Sequence, residues 1–171
     1  MRDLARWVPM GLKGETELKG LAWGGVVSLL YSLTFWLNFA DAYNELFQYV
    51  GNQRVLMEDA RMPPFAELLA ESRPMAGFWI TAACMAALAA WHYAYHYQGS
   101  RSIYLMRRLP SRWELWRRCL ALPAAGAVCA LLLAALLLLC YFGLYLLLTP
   151  RPCLQPGQWA GLGRYFLGGA L

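Results

Sequence analysis

At 171 residues the chain has the length of one soluble domain, yet 60% of it is hydrophobic, 15% is charged and its mean hydropathy is +0.38, a surplus that a water-soluble fold of this size does not bury and that needs lipid to cover it. The net charge of +5 does not point to nucleic acid, because the basic residues flank apolar runs without the motifs of nucleic-acid binders. Five cysteines at positions 84, 119, 129, 140 and 153 fit neither a disulfide framework nor a zinc site.

Residues 1–20, MRDLARWVPMGLKGETELKG, read as a basic amphipathic segment on the cytoplasmic side. They do not read as a signal peptide: the first apolar run starts only near Leu21, outlasts a signal core, and carries bulky Trp36, Leu37 and Asn38 where a cleavage site needs small residues. Residues 21–40 hold no ionisable side chain and match the length a helix needs to cross about 30 Å of hydrocarbon, which predicts a first span. The helical pattern runs on toward Val50, with Asp41 and Glu45 marking the exit from lipid. Residues 41–74 are polar and punctuated by proline, so they form an outer loop. Within it PPFAELLAES predicts a short amphipathic helix entered through its prolines.

The second predicted span covers residues 75–97 and ends in Trp91, Tyr93, Tyr95 and Tyr97, an interfacial aromatic belt. A loop over residues 98–118 follows, carrying Arg101, Arg107, Arg108, Arg112, Arg117 and Arg118. Residues 119–148 carry no charge and exceed the minimum length, which predicts a tilted third span; Pro123 kinks it or sits in its first turns. The tail, residues 149–171, is rich in proline and glycine and too short in apolar pattern for a further span. The expected fold is therefore an all-α membrane protein with three transmembrane helices.

Basic loops resist translocation, so Lys and Arg set orientation. Arg2, Arg6, Lys13 and Lys19 precede the first span and six arginines lie in 98–118, against Arg54, Arg61 and Arg73 in 41–74 and Arg151 and Arg164 in the tail. That asymmetry places the N-terminus and the arginine loop in the cytoplasm and the tail outside. Cys84, Cys129 and Cys140 lie in apolar runs as small hydrophobes, and Cys153 is the one placed to cross-link.

Gly24, Ser28 and Ser32 recur every four residues, as do Ala82, Ala86 and Ala90, with Ala83 and Ala87 one residue along. Strips of small side chains let helices approach closely, either among this chain's own helices or against another subunit. No Asp, Glu, Lys or Arg falls in the middle of a span, which argues against a proton relay, a voltage sensor or a charged-substrate site. His92 and His96 share a helix face at a spacing that suits a metal, but no third ligand lies near in sequence, and a pair of interfacial histidines is the plainer reading. Neither GxSxG, HExxH nor GxxxxGK[ST] occurs. We therefore expect no enzymatic activity, no metal and no cofactor.

The segment GSRSIYLMRRLPSRWELWRR, residues 99–118, predicts one short helix halted by Pro110 and a second one started by Ser111 as N-cap, with Glu114 at the capping-box position. Apolar side chains bracketed by arginines fit protein docking better than lipid binding alone, for which anionic headgroups are the partner. Here the chain resembles the permease subunits of bacterial type-2 ATP-binding-cassette exporters, in which an amphipathic elbow helix precedes two spans and a short coupling helix joins the second to the third. The resemblance makes residues 1–20 the elbow and assigns Ser102, Ile103, Tyr104, Leu105, Met106, Arg107 and Arg108 to a surface for a separate ATP-binding subunit. Its specific part is confined to residues 93–120, and such permeases have six spans where this chain has three. It implies a half-size permease in the bacterial cytoplasmic membrane that pairs with itself or a homologue. The alternative is a non-transporting accessory, sensor or immunity protein whose outer loop, with Asp41, Glu45, Glu58, Asp59, Glu67 and Glu71, recognises a partner.

Overall fold

The computed structural model describes residues 14–57, 59–98 and 112–157. Its elements are mostly helical: α1 (Gly14–Ser32), α2 (Thr34–Glu45), β1 (Phe47–Val50), β2 (Gln53–Leu56), α3 (Phe65–Ser72), α4 (Ala76–Gln98), α5 (Arg112–Leu148) and a 3-10 turn at Arg151–Cys153. Two helical stretches, Gly14–Glu45 and Trp116–Leu148, are long and apolar enough to cross a membrane. The pair α3 and α4, bent by 54° between them, qualifies only when taken together. The last turns of α4 carry Trp91, His92, Tyr93 and Tyr95, which lower the hydropathy of that end. Just 17% and 28% of the two qualifying windows are buried, and Trp23, Leu37, Leu132, Leu139 and Leu147 are among the large apolar side chains left exposed. Outward apolar surface on this scale is the signature of helices that face lipid.

The chain divides into two compact units, residues 1–27 with 78–133 and residues 28–77 with 134–171. In the first, α1, α4 and α5 meet at small residues. A Cβ placed on Gly126 would lie 3.1 Å from the Leu21 side chain and 3.2 Å from Met85 Sδ, and one on Gly24 would lie 3.3 Å from Thr81 Cγ2. Without a strong hydrophobic drive between helices in lipid, such close approach supplies the dispersion contact that holds them. Phe78, Ala82 and Ala130 are buried in this unit.

In the second unit the core is aromatic. Phe35 stacks on Tyr141 with ring centroids 4.8 Å apart and meets Phe65 edge-on at 5.6 Å, while Phe65 contacts Phe142 at 5.1 Å and Tyr145 at 5.5 Å. These rings come from α2, α3 and α5, and offset or edge-on pairs add about 0.5–1.5 kcal/mol each beyond their buried area. Tyr145 Oη donates to the Pro63 carbonyl at 2.9 Å, and the Met62 amide donates to the Cys153 carbonyl at 3.1 Å. Those two bonds fasten the segment ahead of α3 to the end of α5 and its following turn.

α1 gives way to α2 at Leu33, where the backbone bonds are i to i−3. The cause is local. Ser32 Oγ donates to the Leu29 carbonyl at 2.7 Å and Thr34 Oγ1 to the Tyr31 carbonyl at 2.8 Å, and hydroxyls that bond back into the preceding turn loosen the helical ladder. Tyr141 Oη lies 2.9 Å from Ser32 Oγ and donates to the Ser32 carbonyl at 3.3 Å.

Several expectations need correction. Residues 14–20 are the opening of α1, continuous with the first span, because nothing between Gly14 and Leu21 breaks the helix and Glu15 and Glu17 suit its N-terminal dipole; residues 1–13 of the expected elbow lie outside the described residues. The stretch 112–118 is not a separate short helix but the start of the 37-residue α5, which also runs unbroken through Pro123. The segment 41–74 is more ordered than a loop. Helix α2 persists to Glu45, an antiparallel hairpin pairs Phe47 with Leu56 and Val50 with Gln53, and α3 covers most of the predicted short helix. The hairpin turns at Gly51, φ +66°, and the Arg54 guanidinium sits 4.3 Å from the centroid of Phe47 while donating to Asn44 Oδ1 at 2.7 Å. Cys153 is buried, at 2% exposure, because it turns inward below α5, which removes it as a surface cross-linking site.

Two glycines test the packing in opposite directions. A Cβ on Gly77 would sit 2.9 Å from the Ser28 Cα, a backbone atom, so Gly77→Ala forces α1 and α4 apart at a cost of about 1–3 kcal/mol. Gly143, within α5, has nothing within 4 Å of its Cβ position, and Gly143→Ala is expected to stabilise by up to about 1 kcal/mol through helix propensity. Thermal unfolding of the two variants in one detergent checks both signs.

Candidate functional site

The first unit contains one polar arrangement that its apolar surroundings make costly, and it begins with a proline. An α-helical residue ordinarily donates its N–H to the carbonyl four residues earlier, and proline has no N–H to give. Pro123 is fully buried within α5, so the carbonyl of Cys119 loses its helical partner. His92 of α4, with 0% exposure, meets that carbonyl: its Nδ1 lies 3.3 Å from Cys119 O. A carbonyl only accepts, so Nδ1 is the donor and carries a proton. The other ring nitrogen, Nε2, lies 2.9 Å from Oε1 of Glu17 on α1. One imidazole thereby links all three long helices of the unit.

The pair is deeply set, with the Glu17 side chain 11% exposed. Its second oxygen, Oε2, is buried and has no hydrogen-bond partner among the described residues. Oε1 alone is held, and His92 holds it. Uncovering either partner inside an apolar site costs about 3–5 kcal/mol. On the other side of His92, the Trp91 ring lies 5.7 Å from the imidazole.

This geometry answers the metal question for His92, since both its ring nitrogens are engaged within the protein. The side chain of His96 lies outside the described residues. Among the described residues no three His, Cys, Asp or Glu side chains are grouped to hold a metal ion.

The sequence-predicted packing residues are placed as follows. Gly24 lies against Thr81 of α4, Ser28 is buried beside Gly77, and Ser32 is buried and bonded to Tyr141. Ala82 is buried, whereas Ala86 and Ala90 are exposed. The candidate docking residues Ser102, Ile103, Tyr104, Leu105, Met106, Arg107 and Arg108 all lie outside the described residues. Of the acidic residues of 41–74, Asp41, Glu45, Asp59, Glu67 and Glu71 are exposed on the second unit.

Sequence reasoning missed the Glu17–His92–Cys119 arrangement. Two signals were present: a histidine inside an apolar run, and a proline whose position i−4 in a long helix names the carbonyl that will need a donor. No known protein family, characterised relative or solved structure matches the chain.

The roles of Pro123 and His92 are coupled, and a double-mutant cycle measures the coupling. With Pro123→Ala the restored N–H of residue 123 satisfies the Cys119 carbonyl, so His92→Ala then leaves one fewer buried group unpaired. His92→Ala is expected to cost about 1 kcal/mol less in that background than in the wild type, as read from unfolding equilibria. Equal costs in the two backgrounds would mean that the residues act independently.

Proposed function

We propose that the chain is a three-pass integral membrane protein with its N-terminus in the cytoplasm, a half-size permease-like subunit that works with a second copy or a homologue and is driven by a separate ATPase through residues 98–118. The observation that carries this reading is the length and composition of α5. Its 37 residues span about 55 Å at a rise of about 1.5 Å each, well beyond the about 30 Å of hydrocarbon. Arginines of the sequence cluster at its start, at positions 112, 117 and 118, and the uncharged run follows them. Helix α5 runs without a break from Arg112 to Leu148 and carries Tyr141 and Tyr145 in its last turns.

The interior of the second unit supports the need for a partner. Among the described residues it is filled by the rings of Phe35, Phe65, Tyr141, Phe142 and Tyr145, and in this reading a further subunit completes the transport path. A specific feature favours a second reading, that of a non-transporting accessory: the folded hairpin and α3 present Tyr49 at 74% exposure, together with the exposed acidic side chains, on a fixed frame.

Topology and partner retention test the leading reading together. In a variant whose native cysteines are replaced, Ser102→Cys is expected to resist a membrane-impermeant maleimide in sealed cells, and Gln53→Cys to react. An ATPase retained by the intact protein is expected to be lost with Tyr104→Ala combined with Arg107→Glu. Labelling of position 102 from outside, or retention unaffected by the double substitution, refutes the docking role. Binding of an outside ligand by the 41–74 segment without any ATPase would favour the accessory instead.

A further inference from the structure

The hydrogen bonds of His92 leave one proton to be accounted for. Its Nδ1 proton is committed to the Cys119 carbonyl, so Nε2 of a neutral ring is a bare acceptor. It faces a carboxylate oxygen at 2.9 Å, and two acceptors form a hydrogen bond only when one of them is protonated. The contact therefore contains a proton beyond those of a neutral imidazole and an ionised glutamate. We propose that Glu17 and His92 form a proton-binding site in the first unit, whose single bound proton ties α1 to α4.

The bound form is neutral overall, with the proton between Nε2 and Oε1. On release the proton passes to water, and the pair is left as a neutral imidazole beside a carboxylate, with a net charge of −1. No other reactant takes part. Glu17, with 11% of its side chain at the surface against none for His92, is the route in and out. After release the Nε2 lone pair points at an ionised oxygen in an apolar setting, where unpaired acceptors repel strongly. The bond from Nδ1 to Cys119 survives this step. The proton thus controls the contact of α4 with α1 while leaving its contact with α5 intact.

Among the described residues, the titratable or charged groups nearest to the pair in sequence are Glu15 and Lys19 on α1, Cys119 and Arg118 on α5 and Tyr95 on α4, and His96 follows one turn after His92 in the sequence. Oε2 of Glu17 has no hydrogen-bond partner among the described residues, so an ionised Glu17 has no second donor there to replace His92. This site is independent of any ATPase: its tests need only the full chain in lipid, so failure here leaves the subunit reading standing, and the reverse holds as well.

The sequence has two histidines, so His96→Asn leaves His92 as the single imidazole for ring-nitrogen NMR on the full chain in lipid nanodiscs. In the folded protein at neutral pH, Nδ1 is expected to carry a proton and a second proton is expected in the contact between Nε2 and Glu17. Glu17→Gln, whose amide N–H donates to Nε2, is expected to remove that second proton and leave Nδ1 protonated. A neutral ring carrying its proton on Nε2 in place of Nδ1 overturns the proposal, as does a wild-type ring whose signals match those of Glu17→Gln. The ring-nitrogen measurement decides the matter even if Glu17→Gln does not fold.

Discussion

A backbone carbonyl inside an apolar helix has to find a donor, and in this chain Pro123 takes one away. The tie between Glu17, His92 and Cys119 follows from that loss. The Cys119 carbonyl is exposed by the missing N–H, His92 turns its Nδ1 to it, and the ring so fixed presents Nε2 to Glu17. Three helices that also approach closely at Gly24 and Gly126 acquire a directional tie. Close packing gives affinity between helices in lipid but little register; a hydrogen-bonded tie of this kind sets the register, since sliding any of the three helices by one residue breaks it.

The second unit solves the same problem by other means. Its polar backbone breaks, at Leu33 and ahead of α3, are each covered by a hydroxyl: Ser32 and Thr34 bond into their own helix, Tyr141 bonds to Ser32, and Tyr145 reaches the Pro63 carbonyl. Tyrosine suits this position because it delivers a buried ring and a hydrogen-bond donor at once. The aromatic cluster therefore does two jobs, filling the space between α2, α3 and α5 and satisfying irregular backbone that hydrocarbon would not tolerate.

Much of the helical layout was legible from residue order alone. Uncharged runs at 21–40 and 119–148 appear within the two qualifying stretches, and the start of the short helix at Phe65 follows its two prolines. The strand pair was not legible, because FQYV and QRVL are too short to stand out from a helical continuation and pair only through the turn at Gly51. Nor was the unbroken start of α5: Pro110 and a capping pattern argued for a separate helix, but no breaker stands between Arg112 and Cys119, and the helix simply continues.

Composition and hydropathy by themselves determined that this protein has helices long and apolar enough for a membrane, because the cost of exposing apolar side chains to water depends on residue type and not on what they touch. Tertiary structure alone decided that Glu17, His92 and the carbonyl of Cys119 meet, and that Phe35, Phe65 and Tyr141 share one core. Those partners are separated by tens of residues, and whether they touch depends on the rotation and register of whole helices, which no local pattern encodes.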